Sequence, residues 1–312
     1  MARALIFPGQ GSQTVGMGQA LAADFPIARA VFEEVDEALG RRLTSVMWEG
    51  PVEALNLTTN TQPALMAHSV AAARVLKSEC GIDVAECAFV AGHSLGEYSA
   101  LCVAGAMSLA QAARLLQVRG EAMLEASPAG VGAMVALLGV SIEQAEEAIA
   151  STPGDGVLEI ANDNAPGQVV LSGGRARVEA LASNARALGI KMAKLLPVSG
   201  AFHSSLMAPA AATMANELAV ASIDSPAAPL VANVTAQPTG DPDEIKDLLV
   251  RQVTGRVRWT ESVTYMAAHG ARDFVEIGPG RILAGMVRRI AKDATVSCVG
   301  EPNDIAAFHA NA

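Results

Sequence analysis

Residues 87–103, CAFVAGHSLGEYSALCV, contain the pattern that decides the fold. The apolar run at 87–91 is typical of a short buried strand, and the residues after Gly96 favour a helix that ends near Val103. Between them, GHSLG has the form G-x-S-x-G, in which a sharp strand-to-helix turn lifts a serine hydroxyl above the edge of a sheet. The stretch therefore predicts an α/β protein with a mostly parallel sheet and an exposed hydroxyl at residue 94.

The composition agrees with that fold class. The chain has 312 residues, of which 51% are hydrophobic and only 4% aromatic. A chain of this length can bury a large core without metals or disulfides, and small aliphatic residues suit helices packed closely on a parallel sheet. The net charge of −10 argues against a protein that binds nucleic-acid backbones, which needs a basic surface. We therefore expect no nucleic-acid partner.

The cysteines and the N-terminal residues indicate the compartment. The four cysteines are Cys80, Cys87, Cys102 and Cys298. Their spacing fits neither a metal site nor a disulfide framework, which predicts reduced thiols in a reducing compartment. The N-terminus lacks the apolar core of a signal peptide, and no apolar run approaches the ~20 residues needed to cross a bilayer. The sequence predicts a cytoplasmic protein that makes no contact with membranes.

The middle of the chain has an order of elements of its own. Strand patterns lie at 133–138, 157–161, 168–171 and 191–196, and helical patterns at 141–150 and 175–188. This β-α-β-β-α-β order is that of ferredoxin-like folds, and NDNAPG at 162–167 is expected to be the turn between the two central strands. We predict a small inserted domain at 128–197 and a large domain formed by 1–127 and 198–312.

The large domain is predicted to return to alternating strands and helices outside the insertion. Strands are expected at 4–7, 230–234, 274–277 and 295–299. Helices are expected at 26–39, at 63–77, after Ser108, from His203, over 243–269 as a pair, and at 281–290.

A serine hydroxyl needs a base before it can act as a nucleophile, because it is almost wholly neutral at its own pKa. The histidines are His68, His93, His203, His269 and His309. His203 lies in VSGAFHSSLM, at a predicted loop-to-helix junction of the kind that often carries catalytic side chains. A helix N-terminus would disfavour the charged imidazole, which suits a neutral base. His93 is expected to point away from Ser94.

Two alternatives stay open for these residues. Ser94 could cap the following helix without reacting, and His203 could be an ordinary neighbour of a helix N-cap. If Ser94 is the nucleophile, the first N–H of the following helix, that of Leu95, is a candidate to stabilise the oxyanion of an acyl-transfer reaction.

Six motifs identify the chain with a known family. They are PGQGSQ at 8–13, GHSLGE at 92–97, QVRGEAM at 117–123, NDNAPGQVVLSG at 162–173, GAFHS at 200–204 and EIGPG at 276–280. In this order and spacing, the chain resembles the malonyl-CoA:acyl carrier protein transacylases from essentially end to end. The resemblance implies a large α/β-hydrolase-like domain with an inserted ferredoxin-like domain.

The resemblance also implies an activity. The chain would transfer a malonyl group from malonyl-CoA to the phosphopantetheine thiol of holo acyl carrier protein, for fatty acid synthesis, without a metal or redox cofactor. Ser94 would be the nucleophile and His203 the base. The backbone carbonyl of Gln252 would hold the imidazole in place of an acidic residue, and the backbone N–H groups of Gln10 and Leu95 would form the oxyanion hole.

Two more residues would select the acyl group. By resemblance, Arg119 binds the free malonyl carboxylate, and a guanidinium does this with two charge-assisted hydrogen bonds. From the residues alone, Arg119 could equally be an exposed helical arginine like Arg114. Phe202, directly before His203, is similar to the residue at this position in family members that prefer malonyl to methylmalonyl.

Three other functions remain in competition. A transacylase that serves a polyketide carrier has the same motifs. A serine esterase or thioesterase shares G-x-S-x-G, although α/β-hydrolases place an acid between the serine and a late histidine. A carrier-binding scaffold without activity would share the fold alone.

Overall fold

The computed structural model describes residues 2–198 and 200–311. The strands are β1 Ala2–Phe7, β2 Phe89–Gly92, β3 Gly132–Leu138, β4 Leu158–Ala165, β5 Gln168–Gly174, β6 Met192–Leu195, β7 Leu230–Val231, β8 Pro238–Thr239, β9 Ala271–Ile277 and β10 Thr295–Val299. The helices are α1 Gln19–Asp24, α2 Pro26–Leu39, α3 Leu43–Glu49, α4 Val52–Leu55, α5 Thr58–Cys80, α6 Gly96–Val103, α7 Leu109–Ala126, α8 Ile142–Ser151, α9 Arg175–Asn184, α10 Ala208–Val220, α11 Pro242–Thr254, α12 Trp259–Ala268, α13 Ile282–Ile290 and α14 Pro302–Asn311.

The larger sheet has six strands in the order β10-β9-β1-β2-β7-β8. Every pair is parallel except β7 with β8, which confirms the predicted α/β class. In β1 and β2, Phe7 pairs with Gly92, so both strands end at the same edge. The PGQGSQ loop and the GHSLG turn therefore leave the sheet side by side, at the edge where open α/β sheets bind ligands.

Helix α5 is the centre of the helical layer. It is buried on nearly all sides, and a Cβ at Gly120 of α7 would lie 2.8 Å from the Thr59 Cα, so the two helices touch through backbone. The sequence predicted a start at Pro63, but the helix begins at Thr58. Pro63 has no N–H for the Thr59 carbonyl, and the Arg41 guanidinium donates to that carbonyl instead, at 3.3 Å.

The smaller sheet has four antiparallel strands in the order β4-β5-β3-β6, and α8 and α9 pack on it around their own apolar cluster. This is the strand order of a ferredoxin-like β-α-β-β-α-β unit. Helix α8 starts with a capping box, in which the Ser141 and Gln144 side chains each accept from the other residue's backbone N–H. The bounds 128–197 of an inserted domain remain our proposal.

The predicted turn at 162–167 is wrong for its first four residues. Strand β4 continues to Ala165, and only residues 166 and 167 form the turn. The strand is extended by a partner far along the chain: the Asp163 N–H donates to the Val257 carbonyl at 2.9 Å, and the Val257 N–H donates to the Ala161 carbonyl at 2.8 Å. These hydrogen bonds place residues 162–164 between the larger and the smaller sheet.

Other boundaries also differ. The helix expected from His203 begins at Ala208, after a 3₁₀ turn over Ser205–Met207. Strand β7 ends at Val231 and α9 at Asn184, earlier than predicted. Within residues 2–198 and 200–311, no helix combines the length and the apolar character needed to cross a bilayer.

Candidate active site

Ser94 occupies a strained turn between β2 and α6. Its φ of 54° lies in the left-handed region, as expected for a nucleophile elbow. The Asn233 side chain holds the turn from both sides: its Oδ1 accepts from the Ser94 N–H at 2.8 Å, and its Nδ2 donates to the Gly92 carbonyl at 2.7 Å. The sequence analysis missed Asn233, which follows β7 and carries no motif.

His203 faces the Ser94 hydroxyl. Its Nε2 lies 2.7 Å from Ser94 Oγ, and its Nδ1 lies 2.9 Å from the Gln252 carbonyl and 3.2 Å from the Gly255 carbonyl. Because both partners of Nδ1 are acceptors, Nδ1 carries the proton and Nε2 is free to accept one. The two carbonyls lie at the end of α11, where helices leave carbonyls unpaired, so backbone orients this imidazole.

The His203 imidazole is neutral at physiological pH. Burial, and then the Arg119 guanidinium, lower its pKa from 6.5 to about 3, against the opposing effect of the two carbonyls. The predicted helix start at His203 is wrong, because the 3₁₀ turn begins at Ser205 and α10 at Ala208. Burial and the Arg119 guanidinium are the main causes of the neutral imidazole.

Arg119 is a buried cation beside the serine. Arg119 is only 1% exposed, and the three hydrogen bonds that its side chain makes to described residues all go to neutral groups. Nη1 donates to Gln62 Oε1 at 2.6 Å, and Nη2 donates to Gln252 Oε1 at 2.8 Å and to Ser94 Oγ at 3.1 Å. No ion pair among the described residues includes Arg119. A buried guanidinium without a carboxylate partner is suited to bind an anionic group of a ligand. Arg114, by contrast, is exposed to solvent.

Gln252 joins the parts of the site through its side chain as well as its backbone. Besides accepting from Arg119, its amide donates to the Ser94 carbonyl at 2.9 Å and to the Glu97 carboxyl group. Glu97 is buried beneath the turn, and burial raises its pKa to about 8. Neither the role of Glu97 nor that of the Gln252 amide was predicted from the sequence; the position of Glu97 directly after GHSLG was the available signal.

A cavity of about 230 Å³ opens above Ser94. Its walls include Gln10, Leu95, Arg119, Phe202 and His203 from the predicted set, together with residues of the smaller sheet. Among the described residues, the N–H groups of Gln10 and Leu95 have no hydrogen-bond acceptor, so both donors are free for a ligand. Gln252 is not among the residues that line the cavity; it holds the lining residues His203 and Arg119 through hydrogen bonds.

Comparisons with known proteins agree over the whole chain. The acyl transferase domain family matches residues 4–304. The malonyl CoA-acyl carrier protein transacylase of Escherichia coli is 44% identical over 97% of this chain and 97% of its own. The acyl-carrier-protein-S-malonyltransferase of Bartonella henselae, a solved structure, is 49% identical with a TM-score of 0.95, over 99% of this chain and 98% of its own.

The chain belongs to the malonyl CoA-acyl carrier protein transacylase family. Another similar structure is a malonyl-transacylase in complex with its type II polyketide acyl carrier protein, which is 39% identical with a TM-score of 0.96 over the full length of both chains. The fold and the family expected from the motifs are thereby confirmed.

The EIGPG motif at 276–280 has a structural role next to the site. In EIGPG, the buried Glu276 carboxylate accepts from the N–H groups of Leu283 and Ala284, at 3.1 and 2.7 Å, and so caps α13. A Cβ at Gly278 would lie 2.4 Å from Ser69 Oγ and 2.8 Å from Pro8 Cγ. The motif therefore packs against the start of the PGQGSQ loop, and its contacts are structural.

The glycines of the GHSLG turn around Ser94 should tolerate no side chain. A Cβ at Gly92 would lie 1.9 Å from the Gly96 carbonyl carbon. We expect Gly92→Ala to lower the free energy of unfolding by about 3 kcal/mol or more, measured by urea denaturation. Gly285→Ala is the matched control: Gly285 lies in α13 with no atom within 4 Å of an added Cβ, so stability should stay level or rise by up to about 1 kcal/mol. Equal effects at both positions would contradict the packing described.

Proposed function

We propose that the chain transfers a malonyl group from malonyl-CoA to the phosphopantetheine thiol of an acyl carrier protein, through a malonyl ester on Ser94. The observation that carries the proposal is the position of Ser94 Oγ, 2.7 Å from His203 Nε2 and 3.1 Å from Arg119 Nη2. A base and a cation thus meet at one hydroxyl in a cavity. The names of the relatives point to the same two substrates.

In the first half-reaction, the neutral His203 Nε2 takes the Ser94 proton as Oγ attacks the thioester carbonyl. The carbonyl electrons move onto oxygen, and the N–H groups of Gln10 and Leu95 stabilise the oxyanion. The intermediate collapses with cleavage of the carbon–sulfur bond. His203 returns the proton to the departing coenzyme A sulfur, which leaves a malonyl ester on Ser94.

In the second half-reaction, the carrier thiol gives its proton to His203 as its sulfur attacks the ester. The same N–H groups stabilise the second oxyanion. The ester bond to Ser94 breaks, Ser94 Oγ regains a proton from His203, and malonyl carrier leaves. Apart from the two substrates, each step uses only side chains and backbone of this chain.

Arg119 and Phe202 account for the choice of acyl group in this proposal. The Arg119 guanidinium offers the malonyl carboxylate a buried partner that a neutral acyl group cannot use. Phe202 is buried in the cavity wall and restricts the space for a branched acyl group. One methyl group changes binding by about 1–3 kcal/mol, so discrimination against methylmalonyl should be real but limited.

The carrier in this proposal is one of fatty acid synthesis. A polyketide carrier is the second candidate, because a similar transacylase was solved with one. We also propose a cytoplasmic location. The four cysteines are unpaired thiols, in agreement with a reducing compartment.

Hydrolysis is the competing reaction, and kinetics separate it from transfer. With malonyl-CoA and a holo carrier, we expect parallel double-reciprocal plots, since one covalent intermediate links two half-reactions. Malonyl carrier should form much faster than free malonate. Malonate released faster than the carrier is loaded would instead identify a thioesterase.

A further inference from the structure

Two polar residues of β4 face the cavity and have no part in the chemistry proposed above. Asn162 and Asn164 are each 6% exposed, and both line the cavity from the smaller sheet. They belong to the NDNAPG segment. Because β4 continues to Ala165, these two residues lie in a strand that lines the cavity and not in a surface turn. Their side-chain amides are therefore placed to contact whatever enters.

Asn164 is held by the residue next to the nucleophile. His93 Nε2 lies 2.8 Å from Asn164 Oδ1, so this contact joins the Ser94 turn to the smaller sheet. The His93 ring lies against Trp259, with centroids 5.7 Å apart. Gly9 lies against the other side of the ring, since a Cβ there would lie 3.1 Å from His93 Nδ1. The imidazole is thus fixed by packing.

That contact determines which end of the Asn164 amide is already occupied. Burial lowers the pKa of His93, so the imidazole is neutral and has one N–H. With that proton on Nε2, His93 donates to Asn164 Oδ1. The Asn164 NH₂ group then has no acceptor among the described residues, and because Asn164 lines the cavity, this group is the end of the amide available to a ligand.

The rest of the wall indicates what this donor would meet. Much of the remaining lining is apolar, formed by Met123, Met134, Val170, Leu196 and Phe202. The substrates of the proposed function both carry the acyl group on a pantetheine arm, which contains amides. Burying an amide carbonyl without a donor is costly, and a fixed NH₂ group in an apolar wall removes that cost.

We propose that His93 is a positioning residue that orients the Asn164 amide so that its NH₂ group binds the pantetheine amide carbonyl nearest the thioester. The assignment rests on the proposed function, because it is that function that brings the arm into the cavity. His93 exchanges no proton with substrate in this account. Asn164 serves both half-reactions, since coenzyme A and the carrier present the same arm.

The test compares two thioesters by the rate at which they acylate Ser94. Malonyl N-acetylcysteamine thioester retains the amide nearest the sulfur, whereas malonyl ethanethioester lacks it. With the first, we expect His93→Phe and Asn164→Ala each to lower kcat/KM by about 10-fold, the effect of losing one buried hydrogen bond. With the second, both variants should match the wild type, which a general disturbance of the turn would not allow.

Three further variants separate positioning from packing. His93→Gln supplies an amide N–H in place of Nε2 and should recover most of the loss. Asn164→Asp still accepts from His93 but has no NH₂ group, so it should lose as much as Asn164→Ala. Because His93 acts through Asn164, the double variant His93→Phe/Asn164→Ala should be no worse than Asn164→Ala alone. Asn162→Ala is the control, and its effect should add to that of His93→Phe.

Several results would overturn the inference. They are equal losses on both thioesters, wild-type behaviour of Asn164→Asp, or additive effects of the His93 and Asn164 variants. If His93→Phe fails to fold, Asn164→Asp and His93→Gln still decide the matter. Failure of the wild type to load Ser94 from either thioester or from malonyl-CoA would count against the proposed function instead.

Discussion

Replacing His203 with alanine should slow malonyl loading of Ser94 by about 10²- to 10⁴-fold, the usual contribution of a positioned general base. Among the described residues, Ser94 Oγ has no other basic partner, since its second hydrogen bond is with the Arg119 guanidinium. Rapid-quench measurement of the covalent ester would give the rate. His269→Ala is a control, because His269 lies at the end of α12 and, within residues 2–198 and 200–311, its side chain hydrogen-bonds only to the Tyr265 carbonyl.

The dependence of kcat/KM on pH also tests the role of His203 as a neutral base. The pKa of His203 is lowered to about 3, so the free enzyme holds the imidazole neutral at every pH well above that value. We expect kcat/KM to stay level from about pH 7 to about pH 5, whereas an unperturbed histidine would become charged over that range. A fall in kcat/KM centred near 6.5 in the wild type would show that burial does not control this imidazole.

Replacing Arg119 with alanine should lower malonyl loading by about 100-fold, or roughly 3 kcal/mol, because the malonyl carboxylate would lose a buried, two-pronged partner. Acetyl-CoA has no carboxylate, so acetyl loading should fall far less and the preference should shift toward acetyl. The ratio of the two loading rates is the measurement. It is insensitive to partial misfolding, which lowers both rates together.

Two companions to this variant test the reason given. Arg119→Lys keeps the charge but loses the planar fork, so it should recover only part of the malonyl rate. Because the Arg119 cation lowers the pKa of His203, the Arg119→Ala variant should show its acidic fall in acetyl loading at a higher pH than the wild type. Equal loss of malonyl and acetyl loading would mean that Arg119 acts only on the architecture of the site.

The sequence sufficed for the parts of the site that lie in local patterns. The turn at Ser94 could be predicted because a strand, two glycines and a helix surround it within one short stretch. His203 could be favoured because GAFHS interrupts regular structure. The likeness to the transacylases then supplied roles for Arg119 and Gln252 that no local pattern contains.

Contacts between distant parts of the chain could not be predicted. Gln252 lies 155 residues from Glu97 along the chain, and nothing near either residue indicates that the amide also binds Arg119 and the Ser94 carbonyl. The NDN segment reads locally as a turn, because Asn and Asp favour turns. Its backbone instead finds Val257, and that distant partner decides its conformation. The low pKa of His203 likewise follows from burial, which only the folded chain creates.

Mass spectrometry of the chain after mixing with malonyl-CoA shows directly whether Ser94 carries the acyl group. We expect one malonyl unit on the intact wild-type chain, mapped to the peptide that contains Ser94 and discharged by a holo carrier, and no adduct on Ser94→Ala. A malonyl adduct that persists in Ser94→Ala, or transfer to the carrier by that variant at the wild-type rate, would contradict this expectation.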